Sequence, residues 1–120
     1  MWTVTFHDDF DPEFNAMSAD VQDQLLAAAA AVRALGPAAG RPLVATLVNP
    51  AHPNMKELRF KANNGAEVWR AAFAFDPDRT AVILVAAAKQ GVDEAAFYKR
   101  LLKIANKRFD QYLKNAKRKR

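Results

Sequence analysis

Four stretches of this chain have the hydrophobic pattern of β-strands. Residues 2–6 and 55–61 alternate apolar and polar side chains, which predicts strands with one buried face, because successive side chains of a strand point to opposite faces. Residues 67–75 are largely apolar on both faces, and residues 80–88 are apolar after Thr80. These two segments are predicted to be central strands, buried on both sides.

Apolar residues recur at helical spacing in two other segments. The first predicted helix begins after Ser18, a suitable N-cap, and ends at Gly36. The second begins at Asp93 and Glu94, whose negative charges suit the positive end of the helix dipole. A short helical turn is predicted at Asp11, which is followed by proline.

Turn residues connect the predicted strands. Residues 63–65 read Asn-Asn-Gly, a strong hairpin signal, and residues 76–79 have the composition of a turn. Residues 38–54 contain three prolines and are predicted to be mostly loop, with a short extended piece at 43–48. The order predicts an α+β fold, a mainly antiparallel sheet flanked by N-terminal helices and a C-terminal helix. Residues 1–120 are predicted to form one domain, with a basic, flexible tail from about residue 115.

Composition narrows the class of protein. The chain has 120 residues, 51% of them hydrophobic, and no cysteine, so disulfides and thiolate metal sites are excluded. Neither a signal peptide nor a membrane-spanning run is evident, and we expect a cytoplasmic protein with no membrane partner. The net charge is +5, and ten of the 18 basic residues lie between 99 and 120, where Asp110 is the only acid. Such a surface suits nucleic acid, an acidic protein or an anionic membrane.

Common catalytic motifs are missing from the sequence. His7 and His52 are isolated, without a carboxylate at a familiar metal-ligand spacing. Ser18 is the only serine and has the position of a helix cap, which makes a Ser/His/Asp triad implausible. No glycine-rich phosphate loop is present. We therefore expect neither a metal nor a cofactor.

Cations on the predicted strands are the remaining candidates. Arg70 interrupts an apolar face, and a buried guanidinium is costly unless it is paired or lines a functional surface. Two interpretations stay open: an ion pair with Glu57 or Glu67, or phosphate binding. The cations of residues 56–61 alone suggest the solvated face of an edge strand, with Lys56 on one side and Arg59 on the other.

Several short motifs together make the sequence recognisable. They are HPNMKELR at 52–59, VWR at 68–70, FAFDP at 73–77, Lys89, and FYKRL at 97–101. This combination resembles the HigB-like, phage-related branch of the RelE/ParE toxin superfamily. The resemblance implies a RelE-like toxin of a type II toxin–antitoxin system. Its activity would be ribosome-dependent, metal-independent cleavage of mRNA by attack of a 2′-hydroxyl on the adjacent phosphate. The implied partners are mRNA, the ribosome and a HigA-like helix-turn-helix antitoxin.

The resemblance also assigns residues. Arg59 and Arg70 correspond to strand arginines that bind and stabilise the phosphate. Lys56 or Lys89 would be the general acid or base, which requires a lowered lysine pKa that crowding among cations can supply. Tyr98 would stack on a base or assist proton transfer. Further contacts with RNA are predicted for five other cations, one on the strand and four on the last helix: Lys61, Lys99, Arg100, Lys103 and Lys107.

Two other functions stay open at this point. One is a ParE-like inhibitor of DNA gyrase, although such proteins generally lack the set of strand cations. The other is a basic domain that binds RNA or protein without catalysis.

Overall fold

Three α-helices, one short 3₁₀ helix (Gly36–Ala38) and five strands form the secondary structure of the described part of the chain. The structure is a computed structural model that describes residues 1–91 and 93–118. In chain order the elements are β1 (Thr3–Phe6), α1 (Phe10–Asn15), α2 (Ala19–Leu35), β2 (Val44–Thr46), β3 (Met55–Ala62), β4 (Glu67–Phe75), β5 (Thr80–Ala88) and α3 (Glu94–Arg118). The predicted elements are confirmed, including the short extended piece that becomes β2.

All five strands belong to one sheet with the order β1-β5-β4-β3-β2. Strands β2 to β5 pair antiparallel with their neighbours, and β1 pairs parallel with β5. The predicted α+β class with a mainly antiparallel sheet is therefore confirmed. Strand β4 is central and buried over residues 71–75, as its two apolar faces predicted.

Local signals set the ends of α2. The Ser18 hydroxyl accepts a hydrogen bond from the backbone N–H of Val21 at 3.3 Å, which satisfies a donor that the helix start leaves free. Gly36 follows the last residue with φ of 57°, a left-handed conformation that favours glycine. A side chain at this position would also collide with the indole of Trp2.

The sheet separates two hydrophobic cores. On one face α1 and α2 cover a core that includes Phe10, Leu25 and Phe73. On the other face α3 covers a core that includes Leu84 and Phe109. Both cores are needed because β4 and β5 present apolar side chains on both sides.

One residue of β5 interrupts the alternation of its side chains. Ala72 pairs with Val85 and Phe73 pairs with Ile83, so Leu84 is an extra residue that forms a β-bulge. Leu84 and Val85 both pack on the α3 side. Beyond the bulge the odd-numbered residues of β5 therefore face α3, whereas Ala81 and Ile83 face α2.

Helix α3 is longer than its apolar stripe predicted. The segment predicted to be a flexible tail begins inside the helix, since residues 115–118 are helical. Residues 119 and 120 lie outside the described part. Of the helices that the structure describes, none combines the length and the apolar character that crossing a bilayer requires.

Acid is expected to destabilise the fold through His7. His7 is 7% exposed, and its Nδ1 accepts a hydrogen bond from the backbone N–H of Asp9 at 3.0 Å. Burial is the main cause that lowers the pKa of His7 below its usual value. The unfolded chain therefore binds a proton first, so stability is complete above the unfolded pKa of about 6.5 and falls as the pH drops through it. We expect a lower melting temperature at about pH 5.5 than at about pH 7.5, a window that brackets the unfolded His pKa.

The His7→Asn variant is the control for this effect. Its amide oxygen can accept the same N–H and does not titrate in this range. If the melting temperature of this variant falls with pH as it does in the wild type, a group other than His7 is responsible for the destabilisation by acid.

Candidate active site

Two arginines face each other across the middle of the sheet. Arg59 of β3 and Arg70 of β4 are direct partners in the antiparallel register. Both lie on the side covered by α3, because they alternate with residues that pack under α2. Like charges directly opposite each other destabilise a strand pair, so this arrangement needs a compensating negative charge.

Glu57 supplies that charge. Its side chain is 2% exposed, with Oε1 3.1 Å from Nε of Arg70 and Oε2 3.4 Å from Nε of Arg59. The Arg70 N–H is not aligned with the oxygen, which leaves Nε of Arg70, alone among the buried side-chain polar atoms of the described residues, without a hydrogen bond. A second nitrogen of Arg70, Nη1, donates to the carbonyl of Trp69 at 3.0 Å.

The structure identifies which carboxylate pairs with Arg70. Glu67, the other candidate, instead accepts a hydrogen bond from the indole N–H of Trp69 at 2.9 Å and another from the Asn63 amide. Glu57 is therefore the ion-pair partner of Arg70. Both Arg59 and Arg70 remain partly accessible, with 32% and 14% of their side chains exposed.

Helix α3 brings Tyr98 to the same carboxylate. The Tyr98 hydroxyl donates a hydrogen bond to Oε1 of Glu57. Burial, followed by the hydrogen bond to Glu57, raises the pKa of Tyr98 above its usual value, although Arg70 opposes this shift. Tyr98 is thus a neutral phenol at physiological pH, and it acts as a donor rather than as a base.

Lys89 lies beside Tyr98 and contacts an acid at the start of α3. Its Nζ is 2.6 Å from Oε1 of Glu94 and 5.3 Å from the centroid of the Tyr98 ring. The hydrogen bond from Lys89 is the main cause that lowers the pKa of Glu94. The ammonium covers the Tyr98 ring, so stacking of a nucleobase on that face would require Lys89 to move.

These side chains form a cluster with an excess of positive charge. We call Glu57, Arg59, Arg70, Lys89 and Tyr98 the strand cluster. Glu57 neutralises only one of its two arginines, and Glu94 neutralises Lys89. One positive charge therefore remains for a phosphate, and guanidinium groups suit phosphate geometry.

One predicted catalytic residue lies elsewhere. Lys56 pairs with Thr46 and Phe73, and it shares the α2 side of the sheet with Leu58. It is thus on the opposite face from Arg59. Its catalytic role stays a prediction, and the mechanism proposed below does not use it.

Predicted RNA-binding residues occupy two places. Lys61 is exposed near the end of β3, on the same face as Arg59. The others are exposed on α3, on the side away from the buried Leu101 and Ala105. We call this set the basic stripe; it comprises Lys99, Arg100, Lys103 and Lys107. The role of the basic stripe in RNA binding stays a prediction.

Neither histidine belongs to a metal-binding group. Nε2 of His52 lies 2.8 Å from the Asp110 carboxylate, and His7 accepts a backbone N–H. Among the described residues no three His, Cys, Asp or Glu side chains come together in a way that could hold a metal ion.

The sequence pattern alone gives little indication of the role of two acids of this site. Glu57 appeared only as one possible partner of Arg70, and Glu94 only as a helix-start residue. A signal for Glu57 was available, since it shares a strand face with Arg59 two residues away. The position of Arg59 directly opposite Arg70 follows only from the register of β3 and β4. The spacing of residues in the sequence does not specify that register.

Comparison with known proteins identifies related sequences. Residues 12–110 match the family described as phage derived protein Gp49-like (DUF891). A protein of Mycobacterium tuberculosis (strain ATCC 25618 / H37Rv) named "Putative toxin HigB2" is 37% identical over 99 residues, which cover 82% of this chain and 48% of that protein. The chain thus spans about half the length of this relative. No solved structure is significantly similar to the chain.

Proposed function

Because the chain belongs to the phage-derived Gp49-like family, in the HigB-like branch of the RelE superfamily, we propose that it is the toxin of a type II toxin–antitoxin pair. Its proposed activity is ribosome-dependent cleavage of mRNA, which inhibits translation. The proposed cleavage is metal-independent and begins with attack of a 2′-hydroxyl on the adjacent phosphate. The proposed inhibitor of the toxin is a HigA-like helix-turn-helix antitoxin.

One observation carries the nuclease proposal: two opposed arginines share a single buried carboxylate beside a lysine and a tyrosine. Charge that develops on a phosphate during attack is stabilised by preorganised cationic donors. Arg59 and Arg70 meet this requirement, because their strands and Glu57 fix their positions before any substrate binds.

Proton transfers complete the proposed reaction. The 2′-oxygen forms a bond to phosphorus, and its proton passes to the exposed Glu94 carboxylate. The bond between phosphorus and the 5′-oxygen breaks, and the Lys89 ammonium protonates that oxygen as it leaves. The products are a 2′,3′-cyclic phosphate and a 5′-hydroxyl end. Support for this pairing of acid and base is the 2.6 Å contact between Lys89 and Glu94, which places the proposed proton donor and proton acceptor side by side.

Mapping of mRNA ends on translating ribosomes tests the proposal. We expect purified protein to produce new cuts within codons in the presence of ribosomes, and no such cuts in the same mRNA without them. Intact mRNA together with DNA breaks linked to gyrase would reject the nuclease in favour of a ParE-like inhibitor. Intact mRNA with unbroken DNA would favour a binding domain without catalysis.

The basic stripe is proposed to bind ribosomal RNA through phosphates. Replacing both Lys103 and Lys107 by alanine is expected to weaken ribosome binding. The rate at which ribosome-bound complexes cleave mRNA is expected to stay unchanged. Each lost phosphate contact reduces the slope of log affinity against log salt by about 1, hence about 2 for the double variant. Co-sedimentation with ribosomes over a series of salt concentrations measures this slope.

A matched double variant controls for the loss of net charge. Arg33→Ala with Arg41→Ala removes the same charge from exposed positions outside the stripe. Equal slopes for the two double variants would show that only total charge matters.

A further inference from the structure

Glu57 is the most unusual charged residue of the described chain, because it is 2% exposed and lies at the centre of three functional groups. We infer that Glu57 is the positioning residue of the proposed active site: its carboxylate holds Arg59, Arg70 and Tyr98 in the arrangement that receives the scissile phosphate. This inference rests on the proposed nuclease function. Glu57 itself does not contact the reacting atoms.

The burial of Glu57 supports this positioning role. An ionised carboxylate that leaves water is costly unless charged partners and hydrogen bonds compensate. Glu57 is partnered by both arginines and the Tyr98 hydroxyl, all on the α3 side of the sheet. A purely structural acid at this position would need only one cation, and an apolar residue would fill the space between Ala45 and Ala72, the partners of Glu57 in the two neighbouring strands.

The register of β3 and β4 also supports the positioning role of Glu57. Arg59 and Arg70 are paired directly across β3 and β4, so their side chains repel each other if nothing lies between them. The Glu57 oxygens approach both through Nε, at 3.4 Å and 3.1 Å. This contact draws the guanidinium groups together and leaves terminal N–H groups of Arg59 for a ligand. The carboxylate thereby holds two like-charged side chains close together, in an arrangement that can bind a phosphate.

Glu57 also connects the sheet to helix α3. Tyr98 comes from the second turn of α3, and its hydrogen bond to Glu57 spans 41 positions of sequence. The same carboxylate oxygen faces Arg70. A shift of Glu57 would therefore move both the arginines of the strands and the phenol of the helix.

The isosteric Glu57→Gln variant tests this inference. We expect single-turnover cleavage on programmed ribosomes to fall by about 10²-fold, the loss typical of misplaced catalytic groups, with little change in ribosome affinity. Glu67→Gln is the matched control, since this β4 acid also accepts two side-chain hydrogen bonds but lies outside the strand cluster. Cleavage by Glu57→Gln at the wild-type rate would overturn the inference.

A spectroscopic measurement separates this inference from the proposed function. In the wild type, the side-chain Nε–H NMR signals of Arg59 and Arg70 are expected to be rigid, because both Nε atoms lie against the buried Glu57 carboxylate. In Glu57→Gln both signals are expected to shift and become mobile, whereas in Glu67→Gln they stay in place. If the wild type does not cleave mRNA but the signals behave in this way, the proposed function fails and the positioning role stands. Unchanged signals in Glu57→Gln would refute the positioning role whatever the activity.

A second variant covers the case in which Glu57→Gln does not fold. Glu57→Asp keeps the charge but withdraws the oxygens by one methylene. We expect a folded protein in which the Arg59 and Arg70 signals shift and cleavage slows. Wild-type signals and wild-type cleavage in Glu57→Asp would contradict a role that depends on distance.

Discussion

Replacing Arg70 by alanine is expected to lower the rate of mRNA cleavage on the ribosome by about 10²–10³-fold, the usual loss when one preorganised donor to a developing negative charge is removed. Arg70 is the more deeply placed of the two opposed arginines, with 14% of its side chain exposed, and its Nε has no hydrogen bond. Glu57 Oε1 lies 3.1 Å from this Nε, so the terminal N–H groups of the guanidinium are the donors left for a phosphate oxygen. Single-turnover cleavage of ribosome-bound mRNA measures the effect.

Two comparisons make the Arg70 result specific. Arg33→Ala removes the same charge from an exposed site at the end of α2, and we expect it to cleave at the wild-type rate. Circular dichroism must show that the Arg70→Ala protein is folded, because Glu57 loses an ion-pair partner. A folded Arg70→Ala protein with normal cleavage would remove the strand cluster from the mechanism.

Truncation of Phe109 to alanine is expected to reduce the free energy of unfolding by about 3–5 kcal/mol, the range for a buried phenylalanine. Phe109 is 1% exposed in the core between α3 and the sheet. Its ring packs against His52 and Tyr112, with centroid distances of 4.8 Å and 5.9 Å. Loss of the ring therefore removes contacts on both sides. Urea denaturation measures the change.

Ile104→Ala is the control on the same helix. Ile104 is 37% exposed, so its truncation leaves little cavity, and we expect a much smaller loss of stability. Similar losses for the two variants would mean that α3 does not depend on its buried face for docking. A destabilised Phe109→Ala protein is also expected to cleave less, because α3 carries Tyr98.

The elements that follow from local rules were predictable. A serine cap and a glycine stop bounded α2, and apolar patterns located β1 and the buried strands β4 and β5. These features depend on near neighbours in sequence. Strand β1 pairs in parallel with β5, and Thr3 lies opposite Thr80. No local pattern in the sequence indicates which distant strand β1 pairs with.

The site was predictable only in part, for the same reason. Spacing placed Arg59 and Arg70 on strands, and the resemblance suggested that both face the catalytic surface. The same resemblance included Lys56, although alternation had already placed it on the other side of its strand. A motif shared with a family identifies corresponding positions in the sequence. Which of those side chains contact each other depends on burial and on strand register. Without burial and register, the sequence does not indicate that Glu57 rather than Glu67 pairs with Arg70.

The bulge at Leu84 determines which face of the sheet Lys89 lies on, and it therefore limits deletions in β5. The bulge brings Lys89 to the α3 side, because an uninterrupted alternation would turn it toward α2 together with Ala81 and Ile83. Deletion of a single residue between the bulge and Lys89 would again reverse that side. Variants in which this lysine still faces α3 must therefore keep the same odd or even number of residues between the bulge and Lys89.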